Sequence, residues 1–140
     1  MVRAWIAFLL AGAVLIGVSE NAAAQIENKS RTIKGLPNTD LRVGVYVNVR
    51  PDCTAGPLPS IQLTSQPEHG KVTVKRGKVS ATNYKQCLAF ELPGFIAFYR
   101  SRPDFSGTDA FTLEVKFPDG NTQQQRFNVI VGDGKAGQGI

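Results

Sequence analysis

The chain predicts an all-β protein, a sandwich or a barrel, and three observations carry that expectation. Apolar residues recur at every second position in several short runs, most clearly Leu41, Val43, Val45, Val47 and Val49. A period of two sets one face of a strand against a core. Gly- and Pro-rich turns separate those runs, and beyond the leading apolar segment no stretch keeps a helical period. Five of the eight Phe residues (Phe95, Phe98, Phe105, Phe111 and Phe117) fall between Phe95 and Gly120. Two strands are expected there, near Phe95 to Tyr99 and Ala110 to Phe117, joined through a Pro/Asp/Ser/Gly turn and closed by Pro118-Asp119-Gly120. This hairpin or corner is expected to hold much of the core.

Taken in order, residues 1–24 read as a cleavable signal peptide. Arg3 gives a positive start, Trp5 to Val18 is apolar and uncharged, and Ala22-Ala23-Ala24 offers small residues before a mature start at Gln25. The run falls short of the roughly 20 apolar residues of a membrane span, so no transmembrane span is expected in the mature chain. Residues 25–40 are polar, carry Lys29, Arg31 and Lys34 with no clear period, and read as a flexible N-terminal arm.

The sandwich is expected over residues 41–131. Leu41 to Arg50 forms its first strand, with Arg42, Gly44 and Tyr46 on the wet face, and Pro51-Asp52 stops it. Ile61 to Thr64 is a short strand and Pro67 to Gly70 a turn. Lys71 to Lys75 and Val79 to Asn83 read as a hairpin folded about Arg76-Gly77-Lys78. Gln86 to Leu92 is a strand broken by Pro93-Gly94. Gln124 to Val131 is the last, with Phe127, Val129 and Val131 on one face. Residues 132–140 are rich in glycine and read as a flexible tail.

The formal net charge is +5 and stays there once Arg3 and Glu20 leave together. A basic exported chain favours anionic partners: envelope glycans or lipid headgroups. Cys53 and Cys87 are the only cysteines. In an oxidising compartment such a pair forms a disulfide, and the Cys-x-x-Cys spacing of a redox site is absent. The expected location is therefore periplasmic or secreted.

Pro67-Glu68-His69-Gly70-Lys71-Val72, Tyr99, and Phe105-Ser106-Gly107-Thr108-Asp109-Ala110-Phe111 carry a resemblance. They resemble the bacterial immunoglobulin-like and cadherin-like repeats of secreted and surface proteins, which run Pro-x-x-Gly-x-Val and then Phe-x-Gly-x-Asp-x-Phe. The resemblance covers Pro67 to about Gly120. It implies an immunoglobulin-like sandwich of about seven to nine antiparallel strands. In it Gly70, Tyr99, Phe105, Gly107, Asp109 and Phe111 are structural residues. The calcium linker of cadherins is missing, so no metal is implied.

The chemistry of the chain points to binding rather than catalysis. Its one histidine, His69, lies in a turn without a second ligand. No nucleophile elbow, phosphate loop or paired carboxylate motif is present, so no catalytic residue and no cofactor are expected. The patterned surface is basic: Lys71, Lys75, Arg76, Lys78 and Lys85, with Arg100 and Arg102 as a second pair. These are the candidate anion-binding residues, against the alternative of an edge hairpin kept soluble by lysines. The expected function is that of an exported, non-enzymatic binding or structural module. Its partner would be a protein or an anionic envelope polymer, with no sequence-specific nucleic acid.

Overall fold

The computed structural model describes residues 12–17 and 25–132, and its regular structure there is entirely β. Seven strands run β1 Ile26–Gly35, β2 Leu41–Tyr46, β3 Ser60–Ser65, β4 Gly70–Tyr84, β5 Cys87–Ser101, β6 Gly107–Lys116 and β7 Thr122–Val131. They form two sheets, one ordered β1-β7-β6-β3 and the other β2-β5-β4. All pairings are antiparallel except β1 with β7, which is parallel. The positions expected to form a signal peptide, other than 12–17, and the expected tail beyond Gly132 lie outside the described residues.

The inner faces close as the alternation requires. Phe111, Leu113 and Val115 of β6 and Phe127, Val129 and Val131 of β7 are buried against Val43 and Tyr46 of β2 and Ala97 and Tyr99 of β5. Tyr99 stacks on Phe111 at 5.8 Å across the two sheets, and Phe111 stacks on Phe127 at 4.8 Å within one. Each fully buried large side chain contributes roughly 1.5–3 kcal/mol. The stretch from Phe95 to Gly120 is thus a corner: β5 and β6 belong to different sheets.

Four expectations need correction. The arm expected over residues 25–40 holds a ten-residue edge strand, β1, paired with β7 along its whole length. Its period is unreadable because an edge strand at an open side of the sandwich carries polar residues on both faces.

The strand expected from Leu41 to Arg50 ends at Tyr46 and bulges between Arg42 and Gly44. A bulge shifts the alternation by one residue. Val43, Gly44 and Tyr46 face inward, and Val45 turns out, 41% exposed. Gly44 suits this place because a Cβ there would lie 2.7 Å from the Tyr46 hydroxyl.

Arg76-Gly77-Lys78 is no turn. β4 runs through it for fifteen residues and turns at Lys85-Gln86. Gly77 instead pairs with Gly94 on β5, where a Cβ on Gly94 would meet the Tyr46 carbonyl at 2.6 Å.

Pro93-Gly94 likewise fails to break β5. Pairing with β2 stops at Phe95, so at Pro93 the strand has a neighbour on one side only, where proline is tolerated.

From Cys87 to Gly94, before β2 joins at Phe95, the β4–β5 pair is a two-stranded ribbon. The Cys53–Cys87 disulfide ties its far end to the loop after β2. Gln86 Nε2 donates to the Pro51 carbonyl at 2.7 Å beside it. Within the loop, Asn48 Nδ2 donates to the Pro57 carbonyl at 2.8 Å.

Candidate functional site

The core row of β7 changes character halfway along. Val131, Val129 and Phe127 are buried, and the same face continues with Gln125 and Gln123. Through the parallel register, Ile33, Arg31, Lys29 and Glu27 of β1 stand beside Val129, Phe127, Gln125 and Gln123. The apolar interior gives way to amides and charges where β2 ends and no longer covers β7. A cleft of about 840 Å³ opens there between the sheets. Its lining includes Lys29, Arg31, Tyr46, Asn48, Tyr84, Phe117, Gln123 and Gln125.

One continuous hydrogen-bond chain crosses this region. The Tyr46 hydroxyl donates to Gln125 Oε1, and Gln125 Nε2 donates to Gln123 Oε1 at 2.8 Å. Gln123 Nε2 donates to Glu27 Oε2 at 3.2 Å, and Lys29 Nζ meets the other Glu27 oxygen at 2.8 Å. Arg31 Nη1 donates to the Val43 carbonyl at 3.2 Å, spanning the two sheets. Burial pushes the Tyr46 hydroxyl up to about 12, against the weaker pull of Arg31. Tyr46 therefore keeps its proton at neutral pH and serves as a donor. The Lys29 ion pair holds the Glu27 carboxyl below the ordinary carboxylate range.

Two aromatic walls come from the ends of strands. Tyr84 sits at the end of the ribbon, is 38% exposed and packs edge-on against Phe90. It neighbours the disulfide, since Tyr84 pairs with Cys87. Phe117 follows β6 and is half-buried against the core.

The residues singled out by the immunoglobulin-like pattern gather on the inner faces and at the β3–β4 and β5–β6 corners. Asp109 is 4% exposed and accepts four hydrogen bonds. They come from the backbone N–H of Glu68 (3.0 Å), His69 (2.9 Å) and Ala110 (2.9 Å), and from the Tyr99 hydroxyl (2.7 Å). Burial alone would push its carboxyl up, but the bonds from Tyr99, His69, Glu68 and Ala110 outweigh it and hold the group below the usual range. Gly70 leaves room for this cluster: a Cβ there would lie 2.8 Å from the Tyr99 ring and 2.6 Å from the Arg100 carbonyl. Gly107 takes a φ of +140°, which favours glycine. Phe105 stacks on His69 at 4.2 Å, so the turn histidine is partly covered rather than exposed. This cluster is the joint of the fold. No side of it offers a ligand an unpaired buried group, since every buried side-chain polar atom among the described residues is bonded.

The seven candidate anion-binding residues do not form one patch. Directly opposed residues share a face, which puts Lys71 beside Arg100 and Lys75 beside Ile96 on the outer face of the three-stranded sheet. Arg76 and Lys78 alternate to the opposite face. Lys85 is at the ribbon's turn, ten positions from Lys75, on the order of 33 Å along a strand. Several are engaged: Lys78 with Glu91 at 3.5 Å, Arg100 with Asp40 at 3.4 Å, and Arg102 Nη2 with His69 Nδ1 at 3.1 Å. Lys75 lies over the Phe98 ring at 5.6 Å.

Among the described residues, no cluster of three or more His, Cys, Asp or Glu side chains is placed to hold a metal. No helix there is long and apolar enough to cross a membrane.

The sequence reading missed the cleft. Its signal was present in the row Gln123, Gln125, Phe127, Val129, Val131, where a core-facing period runs on into amides. Finding Lys29 and Arg31 beside it required knowing that the first strand pairs with the last. Fold and site together define a disulfide-stapled, two-sheet β-sandwich with a cleft of mixed apolar and polar lining at one open side.

No family model and no curated protein matches the chain. Among solved structures, the solution structure of amebosin is similar with a TM-score of 0.44 and 14% identity, over 77% of this chain and 99% of that one. That likeness is too distant to bear on fold or function.

Proposed function

We propose that this chain is an exported, non-enzymatic binding module with an immunoglobulin-like sandwich, and that it takes its ligand in the cleft between the sheets. The observation carrying this reading is the polar interior row at Gln123 and Gln125, bonded through to Tyr46 and Glu27. A strand that turns amides toward the inside of a sandwich gains nothing in packing, and a concave site with a few convergent polar groups suits a ligand. The immunoglobulin-like assignment is supported by the orders β2-β5-β4 and β3-β6-β7, which follow the B-E-D and C-F-G sheets of that fold, and by the Phe105 to Phe111 motif. The signal-like leader and the Cys53–Cys87 bond support export to the periplasm or beyond. The non-enzymatic part is supported by the cleft's chemistry: amides, aromatic rings and cations, a tyrosine that stays protonated, and one carboxylate, Asp119, whose two oxygens accept from Asn121.

A second reading, a polyanion held on the outer sheet face, is favoured by Lys71, Lys75 and Arg42 set around Phe98. Cosedimentation with insoluble envelope polysaccharide separates the two, using protein expressed from the full sequence and purified as exported. Arg31→Gln with Tyr84→Ala is expected to weaken retention about tenfold, the loss of one charged hydrogen bond and a ring contact. Lys71→Glu with Lys75→Glu should leave retention intact. The reverse pattern, with retention collapsing as salt rises, would favour the sheet face and sink the cleft.

A further inference from the structure

We infer that the cleft takes an acidic oligosaccharide, with the sugar's carboxylate against Arg31 and Lys29 and its hydroxyls against Gln123 and Gln125. This rests on the cleft being the binding site proposed above. Three observations set the chemistry.

The first is the balance of donors and acceptors. The internal bonds leave the glutamines balanced, and the surplus of donors comes from the two cations. Gln125 and Gln123 each receive one bond on oxygen and give one from nitrogen, so each keeps one N–H and one oxygen lone pair. Arg31 gives one of its five N–H groups to Val43, and Lys29 one of its three to Glu27. The remaining groups are mostly donors, and they call for a ligand rich in acceptor oxygens.

The second is charge. The inner-face row brings the side chains of Lys29 and Arg31 to the first hollow, whose lining has Asp119 as its one carboxylate. Lys29 is paired with Glu27, and Arg31 has no carboxylate partner among the ion pairs of the described residues. A guanidinium fork matches a carboxylate in shape as well as charge.

The third is form. A second hollow of about 740 Å³ adjoins the first and shares Phe117, Asp119 and Gln123 with it. Its carboxylates are Glu27 and Asp119, so it suits a neutral, hydroxyl-bearing unit. Two joined hollows, one cationic and one not, fit a chain in which an acidic sugar alternates with a neutral one. The rings of Tyr84 and Phe117 offer flat apolar surface to the C–H faces of such sugars.

Isothermal titration calorimetry on the exported protein tests this with three probes. They are a tetrasaccharide of alternating glucuronate and N-acetylglucosamine, a neutral N-acetylglucosamine tetramer, and a tetraglutamate peptide. The acidic tetrasaccharide is expected to bind at least about tenfold more tightly than either other probe. Arg31→Gln and, separately, Lys29→Gln should collapse that preference, whereas Lys71→Glu with Lys75→Glu, on the far face, should keep it. Equal affinity for the neutral tetramer overturns the charge assignment while the cleft still stands as a binding site. Equal affinity for tetraglutamate overturns the sugar assignment. Absence of binding by all three overturns the inference, and the cosedimentation result then decides whether the cleft reading falls with it.

Discussion

Asp109→Ala is expected to destabilise the sandwich by roughly 3–5 kcal/mol, the largest effect of any single substitution considered. The side chain is buried and accepts bonds from three backbone N–H groups and the Tyr99 hydroxyl. Removing the carboxylate leaves those donors without partners, at about 1–3 kcal/mol for each one that water cannot reach. Typical domains have only about 5–15 kcal/mol in all. Tyr99→Phe removes one of the four bonds and should cost about 1–2 kcal/mol. Urea unfolding of both variants checks the ratio, and equal losses would show that the Tyr99 bond carries the whole effect.

The same group sets an acid limit. Its carboxyl is held below the ordinary range in the folded protein, so the folded state binds its proton less tightly than the unfolded chain does. The contribution is complete above the unfolded carboxyl value near pH 4 and is lost as the pH falls through the depressed folded value. Asp109→Asn should therefore flatten the acid limb of the stability profile below about pH 4 as well as lower its plateau.

Cys53→Ser with Cys87→Ser is expected to cost about 3–4 kcal/mol, from a closed loop of sequence separation 34. The loss should have a functional side too. The bond ties the ribbon carrying Tyr84 to the loop carrying Asn48, and both residues line the cleft. Ligand affinity should fall in the double variant at temperatures where it remains folded. Thermal unfolding with and without reductant measures the first effect, and calorimetric titration measures the second. Unchanged affinity would show that the wall stands without its staple.

The parts of this structure legible in the sequence are those where alternation is unbroken and both faces have one role. Phe111, Leu113 and Val115, and Phe127, Val129 and Val131, were readable because over those spans every second residue faces the core. The disulfide was readable because only two cysteines exist. Val45 was misread because the bulge before Gly44 turns it outward, and a bulge leaves no mark on composition. The segment Arg76-Gly77-Lys78 has the composition of a turn, but it pairs with Phe95-Gly94-Pro93 of β5 and continues the strand. The basic residues were read as a cluster from their nearness in sequence. Alternation sends Arg76 to the face opposite Lys75, and strand length carries Lys85 away from both. The cleft depends on a pairing between the first strand and the last, and no local pattern announces a parallel edge.

The claim at the centre of this account is that the ligand enters between the sheets. The most direct measurement is a residue-resolved nitrogen–proton NMR titration of the purified, disulfide-bonded protein with the acidic tetrasaccharide. Shifted backbone amides are expected to cluster at Ser30, Gly44, Tyr46, Asn48 and Gln125, all on the cleft lining. A footprint confined to Lys71, Thr73 and Phe98 on the outer face, or shifts scattered without a focus, would contradict it.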